Sequence, residues 1–192
     1  MKSLHFRSWL VLLLLSLMIL PQAFAFPEST QSLDLVTGKK ITVDFKSHPS
    51  KYTVIIFLSI YCPCSRSHQP VLKKLYEEFS GSLFQFIGVH SNANETVEDS
   101  LEFFKFADLP FPVIQDEDGK WAQELEAYKT PHAYILSPDM KVIYQGGVDN
   151  RSDAKNATEH FLRDSLMKIR NGQKVGESKR RVLGCQILRS SS

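Results

Sequence analysis

The sequence predicts an α/β fold: a mixed central sheet flanked by helices, with an N-terminal β-hairpin before it and a C-terminal tail after it. Three observations carry this. Apolar, β-branched runs alternate with amphipathic stretches. Gly, Pro and Asp clusters separate them at short intervals. Thirteen Phe, six Tyr and two Trp among 192 residues supply a core and argue against disorder. No internal repeat or low-complexity segment interrupts the pattern.

In chain order, Leu33 to Asp44 reads as the hairpin, with Leu33, Leu35, Ile41, Val43 and Phe45 alternating around Thr37-Gly38-Lys39. Tyr52 to Ile60 is a continuous apolar run, as expected of a strand buried on both faces. Ser65 to Phe79 is an amphipathic helix with Val71, Leu72, Leu75 and Phe79 on one face, stopped near Gly81. Leu83 to Val89 is the next buried strand. Thr96 to Ala107 is a helix, with Val97, Leu101, Phe104 and the following Leu109 facing inward. Phe111 to Ile114 is a short strand ending at the turn Asp116-Glu117-Asp118-Gly119, and Trp121 to Tyr128 a short helix. Strands at Ala133 to Leu136 and Val142 to Gln145 flank the turn Pro138-Asp139, and Ala154 to Ile169 is the closing helix, ended by Asn171-Gly172. The order β-β-β-α-β-α-β-α-β-β-α calls for helices on both faces of the sheet. Chemistry in such sheets sits beyond the carboxyl ends of the central strands.

Residues 1–25 read as a secretory signal peptide. Lys2 and Arg7 open it, Leu10 to Leu20 is almost unbroken apolar sequence, Pro21 breaks the run, and Ala23-Phe24-Ala25 is a small-x-small cleavage site. An uncleaved anchor is the alternative, although the apolar run is short for a membrane span. Residues 26–170 then form the domain and 171–192 a basic tail with Lys174, Lys179, Arg180, Arg181 and Arg189. Removing 1–25 lowers Lys plus Arg from 23 to 21, equal to the Asp plus Glu count. A neutral chain carries no field for a polyanion, so nucleic acid is not an expected partner. The expected location is extracytoplasmic, periplasmic or secreted, with no stable membrane span after cleavage.

The three cysteines are Cys62, Cys64 and Cys185. An odd count in an oxidising compartment is not a purely structural framework. The pairings 62–64, 62–185 and 64–185 all remain open. Cys62-Pro63-Cys64 falls where a strand hands over to a helix. Unpaired N–H groups and the helix dipole there favour the thiolate, the form that attacks. Pro63 is tolerated because the first helical positions need no N–H partner. A 62–64 disulfide closes a tight ring, and strain makes such a bond more oxidising. No cofactor is called for, since the thiols carry the electrons. A metal alternative uses Cys62 and Cys64 with His68 or His132 to hold Cu(I) or zinc. Thr130-Pro131 is an X–Pro bond before a strand, and such a bond is the usual home of a cis peptide; it would offer the backbone of Thr130 to a bound chain. His90 ends a central strand at the same edge as Cys62. Asn94-Glu95-Thr96 and Asn156-Ala157-Thr158 match the glycosylation triplet. Val182, Leu183, Ile187 and Leu188 make the tail apolar enough to pack back on the domain or on a partner, with Cys185 as a mobile third thiol.

Several of these segments resemble the thioredoxin-like superfamily, in particular its exported redoxins related to alkyl hydroperoxide reductase and thiol-specific antioxidant proteins. They are Ile56-Phe57-Leu58 leading to Cys62-Pro63, Phe86-Ile87-Gly88-Val89, the Asp116–Gly119 turn, Thr130-Pro131, Val142-Ile143-Tyr144-Gln145-Gly146 and Gly184-Cys185-Gln186-Ile187. The resemblance covers roughly residues 30–170 and implies that Cys62 attacks and that Pro131 is cis. Three departures separate this chain from the superfamily's motifs. Tyr61-Cys62-Pro63-Cys64 is one residue shorter than the thioredoxin Trp-Cys-x-x-Cys. Ser59 fits the hydroxyl position of a peroxiredoxin motif, but Ile55 stands where that motif has Pro. The copper-delivering members use Cys-x-x-x-Cys, a longer spacing. Three functions follow: a thiol–disulfide oxidoreductase acting on protein thiols or disulfides with a redox partner, with Cys185 as a possible resolving thiol; a thiol peroxidase; and a non-enzymatic soft-metal chaperone.

Overall fold

The computed structural model describes residues 29–45, 51–176 and 178–189; the expected signal peptide lies outside them. The hairpin strands β1 (Ser29–Asp34) and β2 (Lys39–Asp44) pair antiparallel around Gly38, which takes a positive φ of 70°. Then follow β3 (Tyr52–Leu58), α1 (Pro63–Phe79), β4 (Phe84–His90), α2 (Val97–Ala107), β5 (Val113–Gln115), α3 (Lys120–Glu124), β6 (Lys129–Thr130), β7 (His132–Leu136), β8 (Val142–Gly146), α4 (Phe161–Arg170) and β9 (Cys185–Gln186). Seven strands form one mixed sheet in the order β2-β1-β5-β4-β3-β7-β8. β3 sits inside it, parallel to β4 and antiparallel to β7.

Strand β3 shows why its sequence lacks polar alternation. Val54, Ile56 and Leu58 enter one apolar cluster with Leu72 and Leu75 of α1, Phe104 of α2 and Leu162 and Leu166 of α4. Ile55 and Phe57 enter a second, with Trp121 and Ala122 of α3 and Ile187 of the tail. A strand covered on both faces is apolar throughout. The helices are shared unequally: α1, α2 and α4 cover one face, and the short α3 with part of the tail covers the other.

Local chemistry sets the helix ends. Thr96 caps α2 by accepting from Asp99 N–H at 3.1 Å, with Glu98 and Asp99 in the first turn. The Asp116 carboxylate accepts from Trp121 and Ala122 N–H at 2.9 and 3.0 Å and orients α3. Two expected helices are shorter than the pattern implied. α3 stops at Glu124 because the chain turns through Glu126 at φ 54° instead of continuing to Tyr128. The closing helix begins at Phe161, not Ala154. Ala154–Asn156 makes one 3-10 turn, Ala157 is extended, and the Asn150 side chain accepts from Thr158 and Glu159 N–H at 3.0 and 3.2 Å, which holds that stretch off the helix. Asn94 and Asn156, the acceptor positions of the two triplets, are exposed.

The tail packs back on the domain. Ser178 and Arg180 bond the backbone of Gln145 on β8, Val182 is buried, and β9 pairs antiparallel with β6 in the register Lys129↔Gln186, Thr130↔Cys185. Cys185 is therefore held in a strand opposite Thr130. No helix among the described residues is long and apolar enough to cross a membrane.

Candidate active site

Topology brings three features to one sheet edge. Cys62 follows the end of β3, His90 ends β4, and Thr130-Pro131 precedes β7, which runs antiparallel to β3. Cys62 is the N-cap of α1, with extended backbone, and Pro63 follows at the position where a missing N–H costs nothing. Its sulfur accepts from Ser65 N–H at 3.5 Å and from Cys185 N–H at 3.4 Å. As a thiol it donates to the Thr130 carbonyl at 3.1 Å. The Thr130–Pro131 bond is cis. The Thr130 hydroxyl is buried without a hydrogen-bond partner, and Thr130 is among the groups that lower the Cys62 pKa. Burial pushes the Cys62 pKa up, but the neighbouring Cys185 side chain, the Ser65 N–H, Thr130 and the Cys185 N–H outweigh it and hold the pKa below that of an ordinary thiol.

A buried polar network fixes the loop that leads to Cys62. The Glu95 carboxylate accepts from the Ser59 hydroxyl, from Ile60 N–H at 2.9 Å and from His90 Nε2 at 2.7 Å. Ser59 Oγ in turn accepts from Cys62 N–H at 3.1 Å. The second His90 nitrogen faces Gln115 Oε1 at 3.0 Å. Burial raises the Glu95 pKa, yet the bonds from His90, Ser59 and Ile60 N–H prevail and keep it below the usual carboxylate range. Ser59 thus serves the backbone of the cysteine loop, and Ile55 lies within β3, buried in the second apolar cluster.

Cys64, two residues on, has different neighbours. It is buried, and its thiol donates to the Leu183 carbonyl of the tail at 3.3 Å. His68, one turn later, lies with Nδ1 4.0 Å from that sulfur and 2.6 Å from the Cys64 carbonyl, while Nε2 meets the buried Asp149 carboxylate at 3.0 Å. A carbonyl and a carboxylate only accept, so the ring that satisfies both carries two protons. Burial alone would lower the His68 pKa; the bond to Asp149, then those to Cys64, raise it to about 10.

The segment Leu183–Cys185 crosses both sulfurs. Cys62 and Cys64 are only 1% and 6% exposed, whereas Cys185 is exposed. All three are free thiols. Among the described residues, no three His, Cys, Asp or Glu side chains are grouped to hold a metal ion. Both nitrogens of His68 are already engaged, and His132 is buried beside Tyr134, its pKa lowered by burial to about 4. The metal set Cys62, Cys64, His68 and His132 is therefore not assembled here.

The structure gathers Cys62, Cys64, Thr130, Pro131 and Cys185 at one sheet edge; the sequence named each as a candidate and left the place of Cys185 open. Sequence reasoning missed Glu95 and Asp149. Glu95 stood in plain view within a glycosylation triplet just beyond a central strand, and Asp149 just beyond the last one; a lone acidic residue at the chemical edge of a sheet is the available signal.

The AhpC/TSA family model matches residues 25–145. The chain belongs to the AhpC/TSA family. Among curated relatives of this family member, a protein named thiol-disulfide oxidoreductase ResA from Bacillus thuringiensis is 27% identical over 108 residues, 56% of this chain and 60% of that protein. The match thus spans less than two thirds of that relative. Among solved structures, an uncharacterised conserved protein from Geobacillus kaustophilus has a TM-score of 0.73 at 23% identity, covering 88% of this chain and 95% of that one. The exposed lipoprotein thioredoxin Etrx1 from Streptococcus pneumoniae has a TM-score of 0.58 at 16% identity, covering 73% and 98%. These likenesses establish the thioredoxin-like fold that the sequence predicted.

Proposed function

We propose that the protein is a thiol–disulfide oxidoreductase acting outside the cytoplasm on protein thiols or disulfides, with Cys62 as the attacking thiol. The observation that carries this is the Cys62 sulfur itself: it caps a helix, receives two backbone N–H groups, and has a lowered pKa. A thiolate so placed attacks a disulfide sulfur and forms a mixed disulfide. Thr130 lies beside Cys62, its carbonyl accepting from the thiol, and its backbone can pair with a strand, as its pairing with Cys185 illustrates. Cys64 is the nearby second thiol. The name of the ResA relatives supports the reaction class. The secretory pattern of residues 1–25 supports the location.

The peroxidase reading draws less support, because the Ser59 hydroxyl is committed to Glu95 and to Cys62 N–H. The test is reduction of insulin disulfides by the reduced full chain, with Cys62→Ser beside it. Turnover by the wild type and none by the variant is expected. Equal rates for the two proteins, or peroxide consumption that far outpaces disulfide exchange, would overturn the proposal.

A further inference from the structure

We propose that the segment Val182–Arg189 is a tethered strand that fills the groove where a partner's chain would pair, and that its Cys185 closes the working disulfide with Cys62. The inference rests on the oxidoreductase reading and says which two sulfurs carry the electrons.

The seating of the segment is specific along its length. The Gly147 N–H donates to Arg181 O at 3.2 Å, and Val182 and Ile187 are buried. β9 pairs with β6 through Thr130↔Cys185, and Ile187 N–H donates to Tyr128 O at 3.0 Å. Leu188 is gripped from both sides: its N–H donates to Asn92 Oδ1 at 3.1 Å and its carbonyl accepts from Ala93 N–H at 2.9 Å. The Arg189 guanidinium donates to the Ala122 and Ala127 carbonyls. At the crossing point only glycine fits. Gly184 has φ 144°, and a Cβ there would lie 1.9 Å from Thr130 O.

This strand delivers a thiol. Cys185 N lies 3.4 Å from the Cys62 sulfur, so with an N–Cα bond of about 1.46 Å the Cys185 Cα is within about 4.9 Å of it. The Cys185 side chain is among the neighbours that lower the Cys62 pKa. Cys64 instead engages Leu183 O and lies beside His68. A 62–185 bond therefore joins two segments that already meet at the Cys62 sulfur, whereas a 62–64 bond must close a ring within the first turn of α1.

The exchange balances as follows. The Cys62 thiolate attacks one sulfur of a partner's cystine, forming a mixed disulfide and releasing the partner's first thiolate. Cys185 then loses its proton and attacks the Cys62 sulfur, forming 62–185 and releasing the second partner thiolate. Protein dithiol becomes disulfide, and partner disulfide becomes dithiol, with two electrons transferred. The order is built in. Partial desolvation beside the tail, then the neighbouring Cys62 sulfur and its charge, push the Cys185 pKa up to about 12, although its side chain is exposed. Once Cys62 is bonded to the partner its charge is gone, and Cys185 becomes easier to ionise.

The test adds one equivalent of oxidised glutathione to the reduced full chain, quenches with acid, alkylates the remaining thiols and maps the peptides. The expected product is an intramolecular 62–185 disulfide in wild type and in Cys64→Ser. In Cys185→Ser, glutathione remains on Cys62 or a 62–64 bond forms. A dominant 62–64 bond with Cys185 alkylated overturns the inference and leaves the oxidoreductase reading standing. A Cys62 that does not react with the disulfide in any variant overturns both. A second measurement reads the covering strand: Gly184→Val, checked for an unchanged circular dichroism spectrum, should let a bulky maleimide reach Cys62 about tenfold faster or more. An unchanged rate overturns the tethered strand, and in that variant a lost spectrum does the same, because it makes the segment a structural element of the fold.

Discussion

The two ends of the Cys62-Pro63-Cys64 motif teach different chemistry from nearly the same place in the chain. At Cys62 the sulfur accepts from Ser65 N–H and Cys185 N–H, and the Cys185 side chain helps to lower its pKa. At Cys64 the sulfur donates to a tail carbonyl, and a buried imidazolium–carboxylate pair, His68–Asp149, lies beside it. The first arrangement suits an anion that attacks. The second suits a thiol that holds the tail in place, with the charged His68 ring beside it. The helix start explains part of the contrast, because its free N–H groups converge on the cap residue and not on the residue two positions later.

The largest expected break in this comparison is covalent. Cys62→Ser should reduce mixed-disulfide formation with a model disulfide to the rate of a protein lacking the motif, while Cys64→Ser still forms the adduct. Mass spectrometry of the quenched protein reads both, and equal loss in the two variants would erase the distinction.

Next in size is the support beneath Cys64. Removing one partner of a buried ion pair costs about 3–5 kcal/mol, so Asp149→Asn should destabilise the fold by an amount of that order in urea titrations. The pH dependence has a definite sign. The folded-state pKa of His68, about 10, lies above the ordinary 6.5, so its stabilisation is fully present below pH 6.5 and is lost as the pH rises through about 10. Wild type should therefore lose stability over that window, and His68→Gln should follow a flatter profile. Parallel profiles for the two proteins would show that the ring is not charged in the fold.

A smaller effect sharpens the Cys62 side. Cys185→Ala removes the side chain that lowers the Cys62 pKa, so the midpoint of Cys62 alkylation against pH should move upward. Cys185→Ser keeps a donor and should move it less. Measured on a Cys64→Ser background, identical midpoints for the two variants would show that the Cys185 side chain does not tune Cys62. The smallest effect belongs to Tyr61, which is exposed and bonds Asp99 at 3.1 Å. Tyr61→Phe should change stability by less than about 1 kcal/mol and leave both thiol profiles in place, because an exposed hydrogen bond is exchanged for water.

By itself the sequence determined the alternating elements and the strand-to-helix junction, since apolar periodicity and Pro63 act over a few neighbouring residues. It also marked Thr130-Pro131 and an apolar tail with a third thiol. Local pattern misled where side chains from elsewhere in the turn compete with the helix: Asn150 holds Thr158 and Glu159 off α4, a contest invisible in the periodicity of Ala154 to Ile169. Only the tertiary structure decided that Glu95 anchors the Cys62 loop, that Asp149 charges His68, and that Cys185 lies opposite Thr130. The reason is one of range. Helix and strand periodicity is written between residues a few places apart, whereas Cys62 and Cys185 are separated by 123 positions. What brings them together is the packing of the tail across β8 and its pairing with β6, and no spacing in the chain records that.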